Sequence, residues 1–487
     1  MIDVLLTHSY HLAFDRKQVR KMQPYAPLAT LYAAALLRQR GYSVAVFDTM
    51  LRSPDEFESC LKQMRPKIVA LYEDNFNYLS KMCLTRMREV AWQLLDASKK
   101  AGAVSIAHGS DITDNQQMYL ERGFDYVLLG EAEATLLALV ESISARRPSS
   151  EILGVVTRDM GEQRRPAVRP MSPLNELPLP ARDLVDMAAY RKAWQRAHGV
   201  FSVNMVASRG CPFQCNWCAK PVFGDRFALR AAVDVAIEMK MMRQWYGAEH
   251  IWFADDIFGL NRHWVEDLAR EVELRECGIP FKIQSRADLM SEETVDALRR
   301  SGCAEVWMGV ESGSQRILDA MNKDLKVEEV IVARQRLGAA GIRACFFLQL
   351  GYAGETWDDI AKTIALVKDT RPDDIGVSFS YPLPNTRFHE KVREQLGAKR
   401  NWEDSDDLCV MFHGTYTDQF YRDIRDALHA EVDSWRETKP KLKKLAAMWQ
   451  HVYDSEALSR NPNPTFPVAQ TDFQSFVPVT HLAQAGD

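Results

Sequence analysis

The chain has 487 residues, of which 46% are apolar and 26% charged, and carries a formal net charge of −5 at pH 7. That composition belongs to a globular protein with room for two or three domains and real cores. The mild negative balance gives no reason to expect nucleic-acid or polybasic membrane-surface binding, and no run of residues approaches a transmembrane span. Met1-Ile2-Asp3-Val4-Leu5-Leu6 is too short and wrongly flanked for a signal peptide. Nine cysteines without such a signal point to a reducing cytoplasm and against a disulfide framework.

Residues 3–7 read as a strand, 28–40 as an amphipathic helix ending at Gly41, and 43–48 and 68–72 as further strands. A long helix at 79–101, strands at 104–108 and 126–129, and a helix at 132–145 follow. Such alternation specifies a parallel sheet with helices on both faces, whose ligands bind beyond the strands' carboxyl ends. Thr7-His8-Ser9-Tyr10, Tyr72-Glu73-Asp74-Asn75 and His108-Gly109-Ser110-Asp111 fall along that edge. The histidines His8, His11 and His108 read as polar edge residues. This region, 1–150, is followed by a linker, 151–196, broken by Pro166, Pro170, Pro173, Pro178 and Pro180, where a simple tether is expected.

From 197 to 395, strands at 201–207, 251–254, 281–285, 305–310, 344–350 and 375–380 alternate with helices such as 229–246, 263–277, 291–302 and 327–341. These make six βα units. Beyond residue 396 an acidic run, 403–407, precedes two helices, 420–436 and 439–453, and a Pro-rich end. Cys60, Cys83, Cys277, Cys303 and Cys345 sit in apolar settings and read as small core residues.

The stretch Ser208-Arg209-Gly210-Cys211-Pro212-Phe213-Gln214-Cys215-Asn216-Trp217-Cys218 stands apart. Three cysteines in a CxxxCxxC spacing after a strand can converge on one inorganic centre, and thiolates select zinc or iron–sulfur chemistry. Structural zinc wants four protein ligands, and no nearby His or Cys supplies a fourth. A 4Fe–4S cluster held by Cys211, Cys215 and Cys218 would leave one iron open.

This spacing, with Trp217 before the last cysteine, resembles the signature of the radical S-adenosylmethionine (SAM) superfamily. The preceding doubly wound region, with Gly130-Glu131-Ala132-Glu133 similar to the family's "GEGE" and the early segment 24–37, resembles the subfamily that carries a Rossmann-like cobalamin-binding domain. Leu179-Pro180-Ala181-Arg182-Asp183 matches a stretch common there. No Asp-x-His-x-x-Gly occurs, so the lower histidine ligand of cobalamin methyltransferases is missing. The resemblance implies a Rossmann-like domain (1–150), the linker (151–196), a partial (β/α)6 barrel (197–395) and a helical C-terminal extension (396–487).

It also implies a site. Asp255 and Asp256 take the place of the "GGE" motif that holds the SAM amino group, and Arg286 would pair with the SAM carboxylate. Val306 to Gly313 resembles "iGiESG", making Glu311 the ribose contact. Gln349 and Gly351-Tyr352-Ala353-Gly354-Glu355-Thr356, similar to "GlPGET", would border the adenine. Cys409, Tyr416 and Tyr421 are candidates for substrate contact or for returning a hydrogen atom. The implied cofactors are the 4Fe–4S cluster, SAM and cobalamin, and the implied partners are a small-molecule substrate and an external flavodoxin- or ferredoxin-like electron donor. The implied activity is reductive cleavage of SAM to a 5′-deoxyadenosyl radical that abstracts hydrogen from a small-molecule carbon, first of all for cobalamin-dependent C-methylation. Radical dehydration, deoxygenation or rearrangement of a polar substrate such as an aminoglycoside, with a relic cobalamin domain, is the second reading. A tetrapyrrole-type oxidative cyclase is the third.

Overall fold

Two six-stranded sheets organise the computed structural model, which describes residues 1–76, 84–149, 151–160, 173–220, 222–396, 403 and 410–462. The first sheet holds β1 (Ile2–Thr7), β2 (Val44–Phe47), β3 (Pro66–Tyr72), β4 (Val104–His108), β5 (Tyr126–Leu128) and β6 (Val155–Val156), in the order β2-β1-β3-β4-β5-β6. All pairs are parallel except β5 with β6. Successive side chains of a strand point to opposite faces, and here both faces are covered. Val4, Leu6, Ile68 and Ala70 pack with α1 (Leu28–Gln39) and α3 (Glu133–Ser144). Leu5, Val69 and Leu71 enter a separate core with α2 (Thr85–Lys100). This two-sided burial is what a doubly wound sheet requires.

The second sheet runs β14-β13-β12-β11-β10-β7 and is parallel throughout. Its strands are β7 (Ser202–Met205), β10 (His250–Phe253), β11 (Phe281–Ser285), β12 (Cys303–Glu311), β13 (Arg343–Leu350) and β14 (Asp374–Phe379). Helices α5 (Ala232–Tyr246), α6 (Arg262–Arg275), α7 (Glu292–Ser301), α9 (Val327–Ala339) and α10 (Trp357–Thr370) connect them, and the short α8 (Gln315–Ala320) follows β12. One row of side chains, including Val203, Ile251, Phe281, Val306, Phe346 and Ile375, is buried against these helices. The register puts Trp252, Lys282, Gln284, Trp307, Phe347 and Ser378 on the opposite face, where they are half-buried. An apolar outer row and a polar inner row are the pattern of a barrel with its chemistry inside.

The segment expected to be a tether is a wedge instead. It contains α4 (Met187–His198), and Arg182 is buried, donating to the Asn204 carbonyl at 2.5 Å. The Ala181 N–H donates to the Leu31 carbonyl at 3.1 Å, and the Trp194 indole to the Pro24 carbonyl at 2.6 Å. The Asn204 side chain in turn donates to the Ala26 carbonyl at 2.8 Å, and Tyr25 packs on Trp252 with ring centroids 4.8 Å apart. Prolines set the path locally, but these long-range contacts decide its burial. The C-terminal α11 (Asp418–Ser434) joins the barrel core through Ile424 and Leu428, and α12 (Leu442–Ser455) through Trp449 and Val452. Among the described residues no helix is long and apolar enough to cross a membrane.

Candidate functional site

After β7 the chain breaks direction and resumes as β8 (Ser208–Arg209), antiparallel to β9 (Ala228–Leu229). That two-rung ladder clamps both ends of the loop carrying Cys211, Cys215 and Cys218. Gly210 opens the loop at φ +79°, where a Cβ would stand 2.1 Å from the Arg226 carbonyl oxygen, so only glycine fits. The Asn216 N–H donates to the Met321 carbonyl at 3.0 Å and its side chain to the Ala320 carbonyl at 2.7 Å, while its Oδ1 accepts from the Tyr352 hydroxyl at 3.0 Å. Asn322 donates to the Gln214 carbonyl at 2.7 Å, and Lys220 Nζ to the Cys211 carbonyl at 2.9 Å. The turn after α8 thus fixes the loop from one side and Lys220 from within. The three cysteines are half-buried free thiols. Among the described residues no three His, Cys, Asp or Glu side chains gather as they would around a single ion. Three thiols on one short loop, without a fourth protein ligand, suit a multi-iron cluster better than a four-ligand zinc site.

The carboxylates after β10 divide their work. Asp255 is buried and accepts from the Ala207 N–H at 3.1 Å and the Ser208 hydroxyl at 2.5 Å; burial pushes it up to about 7. It latches the start of the cysteine loop rather than facing an ammonium. Asp256 is exposed and accepts from the Gly210 N–H at 3.2 Å. Arg286 is committed too: it pairs with Asp288 at 2.9 Å, donates to the Lys323 and Asp324 carbonyls at 2.8 and 2.5 Å, and lies 3.8 Å over the Phe213 ring. A guanidinium so engaged braces the loop, and is not free for a SAM carboxylate.

Glu311 ends β12 at φ +64° and pairs with Lys323 Nζ at 2.7 Å, both side chains buried. A non-glycine residue in that backbone region marks strain that surrounding contacts must hold. The glycines around Glu311 have physical reasons. A Cβ on Gly309 would stand 2.8 Å from Lys323 Nζ and 2.9 Å from Glu311 Oε1, and one on Gly313 would stand 2.4 Å from the Lys362 carbonyl oxygen. Lys323 is a site residue that local motif reading missed, because nothing short-range marks it. Gln349 is buried with both amide atoms unpartnered, and the Trp217 indole N–H is unpartnered as well.

The candidates for hydrogen return fare differently. Tyr416 is buried and its hydroxyl donates to Glu456, with Phe420 and Tyr421 packed around its ring. Its phenol serves the fold of the extension rather than an open site. Cys409 lies outside the described residues.

On the first sheet's edge, His8 Nε2 meets Asp48 Oδ1 at 2.9 Å, and Asp48 also accepts from Tyr190 of α4 at 2.7 Å. His108 is held by Asn75 at 3.0 Å and the Leu128 carbonyl at 3.1 Å, and burial pushes it down to about 4. His11 Nε2 is unpartnered. The Glu131 and Glu133 carboxylates of the "GEAE" turn reach the residue just before Gly210. Arg209 pairs with both, at 2.8 Å to Glu133, while its guanidinium lies 5.2, 5.3 and 5.6 Å from the Tyr32, Phe76 and Phe223 ring centres. The motif is therefore a bolt between the first sheet and the cysteine loop. Beside it lies a cleft of about 260 Å³, lined by Asn75 and Ser110 from one side and Lys220, Phe223 and Asp256 from the other.

Residues 205–367 match the family model of the Radical SAM superfamily. An uncharacterized methyltransferase of Pyrococcus horikoshii is 30% identical over 281 residues, covering 57% of this chain and 60% of that protein. The chain therefore spans less than two thirds of this curated relative. Among solved structures, the cobalamin-dependent S-adenosylmethionine radical enzyme OxsB, with aqua-cobalamin bound, aligns with a TM-score of 0.70 at 16% identity, covering 94% of this chain and 72% of that one. The radical S-adenosylmethionine methyltransferase TsrM from Kitasatospora setae, with cobalamin and a 4Fe–4S cluster bound, aligns with a TM-score of 0.66 at 18% identity over 82% of this chain and 76% of that one. At such identities the likeness is one of fold, and it extends over both sheets.

Proposed function

We propose, from the premise that residues 205–367 form a radical SAM domain, that the chain cleaves SAM reductively and methylates a carbon of a small-molecule acceptor, with a corrinoid between the first sheet and the cysteine loop. The observation that carries this reading is the cleft shared by the sheet edge and that loop. Asn75 Oδ1 and Ser110 Oγ are buried there without partners, and their neutral polarity suits the amide-rich rim of a corrin. At about 260 Å³ the cleft is smaller than a drug-sized site, so loading requires its two walls to part. When bound, a 4Fe–4S cluster would supply the electron that opens the SAM sulfonium and a corrinoid the methyl group.

The chain's own residues hold and orient. Cys211, Cys215 and Cys218 would ligate the cluster on a loop fixed by Asp255, Arg286, Lys220 and the turn after α8. The Glu311 carboxylate is placed for ribose hydroxyls, and its partner Lys323 supplies the buried cation that a SAM carboxylate needs. Gln349 offers a donor and an acceptor to the adenine side. In this reading the deoxyadenosyl fragment of SAM removes a hydrogen atom from the acceptor carbon, and the electron comes from an external flavodoxin- or ferredoxin-like donor.

The test is anaerobic reconstitution with iron, sulfide and hydroxocobalamin, comparing the wild type with Cys215→Ala. The expected result is thiolate–iron absorption and SAM cleavage in the wild type alone, with cobalt near one per chain. SAM cleavage by Cys215→Ala would sink the radical-enzyme reading. Cluster without cobalt would remove methyl transfer and leave dehydration or rearrangement with an empty first domain.

A further inference from the structure

The barrel rim facing the C-terminal helices holds a second set of buried polar groups. Glu355, in the turn after β13, and Tyr421, on α11, are fully buried and meet at Gly351. The Gly351 N–H donates to Glu355 Oε2 at 2.7 Å, and a Cβ on Gly351 would stand 3.3 Å from the Tyr421 ring. Gly414 leaves the far side open, its would-be Cβ 3.9 Å from Tyr421 Oη. Ser380 follows β14, its N–H donating to the Leu350 carbonyl at 2.8 Å. Continuing the register of Gln349 opposite Ser378, it stands on the Gly351 side of the sheet.

Glu355 Oε1, Tyr421 Oη and Ser380 Oγ all lack a hydrogen-bonding partner; the Tyr416 amide approaches Tyr421 without completing a bond. Buried polar groups are rarely left unmade, because each one forfeits its hydration without compensation. Three of them around one glycine mark a place where another molecule completes the bonding. Burial pushes Glu355 up to about 8, so its carboxyl is a neutral donor at pH 7. The nearby charges of Asp359 and Arg316 pair with each other. The set is thus neutral, made of hydroxyl-type donors and acceptors, and has no cation to hold a phosphate or carboxylate.

We propose that Glu355, Tyr421 and Ser380 form the acceptor-substrate subsite, and that it takes a neutral oxygen-bearing group, the hydroxyl or carbonyl of a sugar-like or polyol molecule. The assignment rests on the radical SAM reading, which puts substrate at the strands' carboxyl ends.

Binding is measured apart from turnover, by ligand-observed NMR with myo-inositol as probe on reconstituted full-length protein, so that failure of this subsite and failure of SAM cleavage are separate results. Wild type is expected to bind the probe, and the double variant Glu355→Gln, Tyr421→Phe to bind it at least about tenfold more weakly, a loss of about 1.4 kcal/mol. The ligand-free Tm of Tyr421→Phe should stay the same or rise, since an unpartnered hydroxyl stabilises nothing. A Tm several degrees lower would make the hydroxyl structural. An equal loss of SAM affinity would give the site to the SAM ribose. Absence of probe binding to the wild type would remove the ligand class. Each of these three outcomes overturns the proposal.

Discussion

Replacing Arg209 with methionine tests the bolt between the two sheets. Arg209 is 1% exposed, Glu131 and Glu133 are each 4% exposed, and the guanidinium sits among three aromatic rings. Removing the cation leaves two carboxylates in a space that water does not reach. Breaking a buried pair in this way costs about 3–5 kcal/mol, chiefly because the remaining charge is uncompensated. The lost cation–aromatic contacts add about 1–2 kcal/mol. Arg209→Lys keeps the charge but cannot reach both carboxylates in one plane, so it should fall between wild type and methionine. Urea unfolding gives the stability, and iron per chain after reconstitution gives the state of the cysteine loop two residues away. The triple variant Arg209→Met, Glu131→Gln, Glu133→Gln should recover more than half of the loss, because it removes the orphaned charges. A loss below about 1 kcal/mol in Arg209→Met, or no recovery in the triple variant, would refute the argument that these charges are buried together.

Gly309→Ala places a methyl group 2.8 Å from Lys323 Nζ and 2.9 Å from Glu311 Oε1. It should cost about 1–3 kcal/mol in thermal unfolding while lowering SAM affinity roughly tenfold, about 1.4 kcal/mol; unchanged affinity in calorimetry would remove the pair from the SAM site. Tyr416→Phe should cost about 1.5–3 kcal/mol, the value of a hydrogen bond to a charged group, and retain SAM cleavage. A well-folded variant that no longer returns a hydrogen atom would restore Tyr416 to the chemistry. Glu355 is raised from 4.5 to about 8, so between those values the unfolded chain releases a proton that the native state keeps. Native stability therefore falls as pH rises through this window, by at most about 1.4 kcal/mol per pH unit. Glu355→Gln should flatten that fall, and parallel Tm–pH curves from pH 5 to 8 would show that the carboxyl is not held neutral.

The strands of both sheets were readable from sequence because each buries a row of apolar residues at a fixed period; β4 and β11 lie where the pattern put them. The cysteine loop was readable because its ligands lie within eight residues of one another. The partners that fix it were not. Asp255 and Arg286 sit where the motif order predicts, yet their side chains turn to Ser208 and to the Lys323 and Asp324 carbonyls, a choice made by tertiary packing rather than by position in a strand. The "GEAE" turn was visible as a resemblance, but its contact with Arg209 spans 78 positions, beyond the reach of any periodicity. Helix α4 was hidden by its proline-rich surroundings, and Tyr416 looked available only because a lone sequence cannot show Glu456 closing over it.

The insertion of the 24–26 segment between the barrel's first strands has a consequence for how the protein is made. Asn204 reaches Ala26 across 178 positions, which a ribosome working at 5–20 residues per second covers in roughly ten to forty seconds. Through that interval the doubly wound sheet can complete its own two cores, while Tyr25 and the carbonyls of Pro24 and Ala26 stand in solvent without the partners that later cover them. Biosynthesis therefore passes through a half-finished protein whose sticky face is the one reserved for the barrel. A chain stopped near residue 150 would keep that face open for good, so the isolated first domain should self-associate where the whole protein does not.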